Sequence, residues 1–201
     1  MEKNTAVEDQ TATELNPFRC QGFVRNGFIY AANGERYPMH ELPAFLRALL
    51  VTDGTVTKIL EAYFWEPVTV ETQSQTFISA QQAIPWIDLK PNDQVLERHA
   101  CLCGADTGNQ YAEAYSVIRT ELIPSDFRQR LIDRVIGIGA LIRDSGLESY
   151  REVLKVGLVT AASDQHNSAS VFRTYRIIID QVPVILITET FPLARYALKS
   201  L

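Results

Sequence analysis

FRTYRIIIDQVPVILITETFP, residues 172–192, is the stretch around which the rest of the chain is organised. Two apolar, β-branched runs, Tyr175–Ile179 and Val184–Phe191, flank the tetrapeptide Asp180-Gln181-Val182-Pro183. The runs have the residue types of strands, and Asp with Pro supplies a turn between them. Their wealth of Ile and Val predicts a hairpin near the centre of a sheet rather than at its edge. Glu189 breaks the pattern, set among Ile185, Leu186, Ile187 and Phe191. A carboxylate in a core strand is costly unless it is paired or hydrogen-bonded. Arg173 and Arg176 on the facing strand are the candidate partners. Register decides between them: an odd sum of paired positions puts Arg176 on the face of Glu189, and an even sum puts Arg173 there. One reading is a structural ion pair. The other is an acid or hydrogen-bonding group that lines a buried pocket.

At 201 residues the chain suits one domain with a tail. A chain of this size buries roughly 70% of its unfolded surface and needs no staples. Hydrophobic residues make up 46% and charged residues 21%, as in an ordinary soluble globular protein. The net charge is −5 with no basic stripe, which argues against a nucleic-acid partner. Three cysteines do not make a disulfide framework, and Cys101 and Cys103, two apart on one face of a strand-like run, read as core thiols. His40, His99 and His166 are too far apart for metal-ligand spacing, so no metal is expected. No apolar signal segment opens the chain and no run has the length of a membrane span, so the expected compartment is the cytoplasm and no membrane partner is expected.

Outward from the hairpin, residues 1–16 are polar, acidic and free of aromatics, which predicts a disordered tail. Residues 17–41 read as an N-terminal extension packing on the domain, with turn signals at Asn26-Gly27 and Asn33-Gly34. Residues 42–201 form the domain proper. LPAFLRALL, residues 42–50, has helical spacing, and Asp53-Gly54 breaks it. A second helix over 57–63 follows, with Thr55 or Thr57 as cap. The pair resembles a helix-turn-helix hairpin, but Lys58 faces Glu61 where a DNA-reading helix needs cations. Strands are predicted over 68–77, 94–103, 110–118 and 153–160, with a loop at 85–93. Gly104-Ala105-Asp106-Thr107-Gly108 lacks the pattern of a phosphate loop and reads as a hairpin turn. Of the adjacent Arg98 and His99, one must face inward. A helix over 126–135 opens at Pro124-Ser125-Asp126 with Ser125 as cap. Gly137-x-Gly139 is not a dinucleotide fingerprint and predicts close backbone packing or a bend, and 146–154 a connector. The sum is an α+β single domain on an antiparallel sheet of about six strands with inserted helices.

Three blocks, taken together, resemble the chorismate pyruvate-lyase (4-hydroxybenzoate synthase) family, in its plastid, cyanobacterial and mycobacterial branch. They are LLVTDGTVTKILEAYFWEPVTVE at 49–71, VLERHACLC with YAEAYSV at 95–103 and 111–117, and the opening stretch at 172–192. IGALIRDSGLESYRE at 138–152 fits the same branch. The resemblance covers roughly residues 42–194 and rests on the order and spacing of the blocks. It implies a six-stranded antiparallel sheet with helical flaps over an internal ligand cavity, and an enzyme without metal or organic cofactor. The implied reaction eliminates the side chain of chorismate as pyruvate and leaves 4-hydroxybenzoate. The resemblance puts the carboxylate-holding arginine at Arg98 and the essential glutamate at Glu189. It puts two flap contacts at Val56 and Ile138, where the residue types depart from those of the better-known enzymes. It leaves Arg173 and Arg176 as secondary candidates.

A planar guanidinium can hold a ring carboxylate with two parallel hydrogen bonds. A carboxyl group kept neutral by an apolar pocket can donate a proton to the departing ether oxygen. The expected partners are chorismate and 4-hydroxybenzoate, with the chain a monomer or homodimer. The alternatives are a non-catalytic effector-binding domain of the same fold, which takes small acids in an equivalent pocket, and a lyase that forms another hydroxybenzoate isomer. Regulators with that effector domain carry a winged DNA-binding domain ahead of it, and the first forty residues here are too acidic and turn-rich for one.

Overall fold

The computed structural model describes residues 24–133, 137–159 and 169–196. The tail expected at 1–16 lies outside them. Asp180 and Gln181 both take positive φ, +49° and +69°, the geometry of a two-residue turn that matches the twist of the strands it joins. Val182 and Pro183, expected in the turn, therefore belong to a strand. The hairpin consists of β8, Ser170–Ile179, and β9, Val182–Pro192. Next to the turn, Ile179 faces Val182 and Ile178 faces Pro183; further on, Ile177 faces Ile185. Val184 is the additional residue at that register shift. It converts an odd sum of paired positions into an even one, so Arg173 comes to face Glu189.

The hairpin belongs to a six-stranded antiparallel sheet in the order β4-β5-β6-β9-β8-β7. Here β4 is Val68–Ser79, β5 Gln94–Gly104, β6 Gln110–Ile118 and β7 Ser149–Val159. The strand β9 is central, as its apolar composition predicts, and β8 is one place from the edge. The strand β7 begins at Ser149, inside the expected connector. Three short strands, β1 Val24–Arg25, β2 Phe28–Tyr30 and β3 Arg36–Pro38, form a separate small sheet. Gly157 on β7 fits beneath this sheet because a Cβ there would stand 2.6 Å from the Phe172 ring and 3.1 Å from the Tyr30 carbonyl.

Among the described residues five α-helices accompany the sheets: α1 Ala44–Val51, α2 Val56–Phe64, α3 Ser125–Ile132, α4 Ile138–Ser145 and the single turn α5 Leu193–Tyr196. At α3 the sequence reading is corrected: Pro124 holds the N-cap position and Ser125 is the first helical residue, with no side-chain cap. The segment read as a bend is the helix α4. Gly137 caps its start in extended conformation, and Gly146 ends it at φ +66°, the usual use of glycine just past a helix. No helix among the described residues is long and apolar enough to cross a membrane.

Two apolar clusters cover one face of the sheet. In the first, Leu46, Leu49 and Leu50 of α1 and Leu60 of α2 pack with Leu102, Val156, Val171 and Phe191. In the second, Phe127 and Leu131 of α3 and Leu141 and Ile142 of α4 pack with Leu96, Ile118, Ile177 and Ile185. A third, smaller cluster lies on the opposite face, where Ile87 and Leu89 cover Val95 and Val117. Cys103 is buried and Cys101 only half-buried, so of the two expected core thiols one is partly open. The glycine-bearing turn after β5 holds no free anion cradle: the Glu66 carboxylate accepts the N–H groups of Asp106 and Thr107 at 3.1 and 3.0 Å.

Candidate active site

Strand register aligns the side chains of the helix-covered face in rows. One row runs Thr72, Ala100, Ala114, Glu189, Arg173, Val156. The next runs Gln75, Arg98, Ser116, Ile187, Tyr175, Val153. Ala100, Ala114 and Ser116 leave the middle of both rows shallow, where larger residues would meet the helices. The space above them is a cavity of about 460 Å³, within the range of small-molecule sites. Arg98 and Glu189 both line it, as do Val56 and Ile138. Arg98, not His99, is therefore the inward residue of that pair.

Arg98 is 2% exposed, and its Nη2 donates to Thr72 Oγ1 at 2.8 Å. Glu189 is 5% exposed. Its Oε2 accepts from Arg173 Nε at 2.8 Å and its Oε1 from the Tyr175 hydroxyl at 3.1 Å. Arg173 is fully buried, and its Nη1 also donates to the Leu49 and Thr52 carbonyls at 2.7 and 2.5 Å. It thereby ties the C-terminal end of α1, where a cation is favoured, to the carboxylate. Its guanidinium lies 4.8 Å from the centre of the Tyr175 ring. Burial, then the Glu189 charge, holds the Tyr175 phenol above its ordinary range, so it stays a donor. Of the two candidate partners it is thus Arg173 that pairs with Glu189, and the carboxyl group is not left in an apolar setting alone. A fixed cation and a phenol present donors to both oxygens, an arrangement that suits a carboxylate acting as acceptor.

Arg176 is on the other face of the sheet. It pairs with Glu152 at 2.8 Å and donates to the Trp86 carbonyl at 3.0 Å, away from the cavity. Val56 and Ile138 are the first residues of α2 and α4. The first-turn N–H groups of a helix have no acceptor within it, and the helix start carries partial positive charge. Two such starts flank the cavity, an arrangement in which side-chain identity matters less than the backbone. Gly137 permits this approach, since a Cβ there would lie 3.1 Å from Val70 Cγ2.

Sequence reasoning missed Tyr175 and Arg151, which also line the cavity. Tyr175 is two residues from Arg173 and so shares its face, a signal available once the parity of the hairpin is known. Arg151 was hidden in the supposed connector.

The family model described as chorismate pyruvate-lyase Rv2949c-like matches residues 50–198. The chorismate pyruvate-lyase of Mycobacterium leprae is 28% identical over 163 residues, which cover 78% of this chain and 78% of that protein. The chorismate pyruvate-lyase of Mycobacterium tuberculosis H37Rv is 24% identical over 156 residues, 73% of this chain and 78% of that one. Among solved structures, PhnF from Mycobacterium smegmatis is similar with a TM-score of 0.55 at 10% identity, over 71% of this chain and 65% of that one. The effector domain of PhnF gives 0.54 at 10% identity, over 69% and 88%. At such identity the likeness is one of fold alone. The family match spans most of the chain and contains the cavity-lining strands, and on that ground this chain belongs to the Rv2949c-like chorismate pyruvate-lyase family.

Proposed function

We propose that the protein eliminates pyruvate from chorismate to give 4-hydroxybenzoate, without a cofactor. The observation that carries this reading is the meeting of Arg98 and Glu189 in one cavity, from strands β5 and β9, over a floor of small side chains. Arg98 holds the ring carboxylate. In the reaction the bond between the ring and the ether oxygen breaks and its electron pair leaves with oxygen. The neighbouring hydroxyl-bearing carbon loses its hydrogen as a proton, and the ring becomes aromatic.

Hydrogen-bonded by Arg173 and Tyr175, Glu189 starts as an acceptor. It takes the proton from the ring carbon and returns it to the ether oxygen on the adjacent carbon. Enolpyruvate leaves and tautomerises to pyruvate, and the carboxylate is restored. This replaces the simple acid role expected from sequence, because a carboxylate fixed by two donors must receive a proton before it can give one. Positioned proton transfer contributes roughly 10²–10⁴-fold, and burial of the site strengthens its electrostatics.

The likeness to the PhnF effector domain favours one second reading, a pocket that binds a small acid without turnover. Incubation with chorismate, followed by a pyruvate assay and mass identification of the aromatic product, decides between them. Stoichiometric pyruvate with 4-hydroxybenzoate is expected. Tight binding of 4-hydroxybenzoate with no pyruvate release would favour the effector reading, and a different hydroxybenzoate would revise the product.

A further inference from the structure

Among the described residues the cavity lining carries four cationic side chains, Lys58, Arg98, Arg143 and Arg151, against two carboxylates, Glu61 and Glu189. Neighbours within the protein match several of these charges. Lys58 pairs with Glu61 at 2.6 Å, Arg143 with Asp144 at 3.0 Å, and Glu189 with Arg173 at 2.8 Å. Arg151 has no carboxylate within ion-pair distance among the described residues. Its Nη1 donates instead to the backbone carbonyl of Asp53, at 3.1 Å. A half-buried guanidinium that lines a cavity and is satisfied only by a carbonyl retains its full charge for a ligand.

Arg98 is on β5 and Arg151 on β7, with β6, β9 and β8 between them. At ordinary strand spacing their backbones stand about 19 Å apart across the sheet. Glu189 on β9 lies between the two cations. Gly139 of α4 lies over the second one, its Cβ position 3.7 Å from Arg151 Nη2. The Tyr175 phenol, pushed up by burial and then by Glu189, is pulled the other way by Arg173 and Arg151. The Arg151 charge is therefore within electrostatic reach of Tyr175, which also lines the cavity.

Chorismate carries one carboxylate on its ring and a second on the enolpyruvyl group that departs. We propose that Arg151 receives the enolpyruvyl carboxylate and so selects a dianionic ether over an aromatic monoacid. The inference rests on the reading of this cavity as a chorismate-cleaving site. It also explains an asymmetry between substrate and product: the Arg151 contact ends when pyruvate departs, while the ring carboxylate keeps its partner.

The test uses two ligands that do not turn over. One is 4-hydroxybenzoate. The other is 3-(1-carboxyvinyloxy)benzoate, which carries both carboxylates on a ring that is already aromatic. Dissociation constants are measured by calorimetry for the wild type, Arg151→Gln and Arg151→Lys. Gln keeps a donor for the Asp53 carbonyl, so the local fold is retained. The expected result is a loss of roughly ten- to hundredfold for the diacid in Arg151→Gln, with 4-hydroxybenzoate within about twofold of wild type. Arg151→Lys keeps the charge but not the planar fork, and should lose less. It also serves as the readout if the Gln variant does not fold. Equal weakening of both ligands would overturn the inference, because the guanidinium would then act only through the Asp53 turn. An unchanged diacid constant would overturn it as well. Wild-type turnover of chorismate is read separately. Absence of pyruvate with the diacid preference intact would remove the proposed reaction and leave the Arg151 contact standing.

Discussion

Arg173 and Arg176 stand three residues apart on one strand, and each is 2.8 Å from a glutamate. The side chains of the Arg173–Glu189 pair are 0% and 7% exposed, those of the Arg176–Glu152 pair 28% and 47%. Equal distance therefore conceals unequal energetics. In water the attraction is screened and offset by ordering two long side chains, so an exposed pair contributes little. In the interior each charge has lost its hydration, and the pair is held by what else it touches. Arg173 also satisfies two carbonyls at the end of α1. One strand thus carries a stitch to the edge strand on one face and, on the other, a buried cation that holds Glu189 beside the cavity.

The comparison is tested most strongly by removing the buried cation. Arg173→Met takes from the buried Glu189 its cation, leaving only the Tyr175 hydroxyl on it, and leaves two helix-end carbonyls without that donor. The cost should be about 3–5 kcal/mol, or roughly 6–20 °C in Tm for a domain of this length. The double variant Arg173→Met with Glu189→Leu should recover part of that loss, because the buried charge has gone with its partner. Thermal unfolding of both variants reads this. If the single variant were no less stable than Arg176→Ala, the distinction between the two pairs would collapse.

A smaller effect on stability and a large one on rate are expected of Glu189→Gln. The amide oxygen can still accept from Arg173, and the amide nitrogen can donate to the Tyr175 hydroxyl. The fold therefore keeps its contacts, but the group can no longer take up and return a proton. The value of kcat should fall by roughly 10²–10⁴, with binding of 4-hydroxybenzoate close to wild type. Thermal unfolding and kcat measured on the same preparation separate this from a loss of folded protein. A folded variant with undiminished kcat would remove Glu189 from the chemistry.

These two residues also mark how far the sequence could be read. The identity of the strands was legible because Ile and Val cluster in runs of strand length. The oddness of Glu189 was legible because a carboxylate does not belong in such a run. Its partner was not, because one additional residue, Val184, changes the parity of the hairpin, and nothing in a row of apolar residues marks which one bulges. Helix α4 was missed for a related reason. Gly137 and Gly139 looked like breakers, although Gly137 is only the cap and Gly146 the terminator. With α4 read as a bend, β7 appeared to start late, and Arg151 was lost from the strand that aims it into the cavity. The small residues Ala100, Ala114 and Ser116 were visible in the sequence, but the space they leave exists only when β5 and β6 are in register.

The smallest expected effect belongs to Arg176→Ala, and it bears on the comparison as much as the largest. Arg176 reaches from β8 to Glu152 on the edge strand and to the Trp86 carbonyl in the segment over the outer face. Both contacts are open to solvent, so water can replace the lost donor at each oxygen. Stability should change by no more than about 1 kcal/mol. Whatever difference appears at low salt should shrink at about 1 M salt, where the screening length is near 3 Å. The rate should not change, because the guanidinium lies on the face of the sheet opposite the cavity. Chemical unfolding at two salt concentrations, with kcat beside it, is sufficient. A large, salt-independent loss would mean that the outer pair is as desolvated as the inner one. A collapse of kcat with stability intact would place the chemistry on the wrong face of the sheet, and the assignment of Arg98 and Glu189 would fail with it.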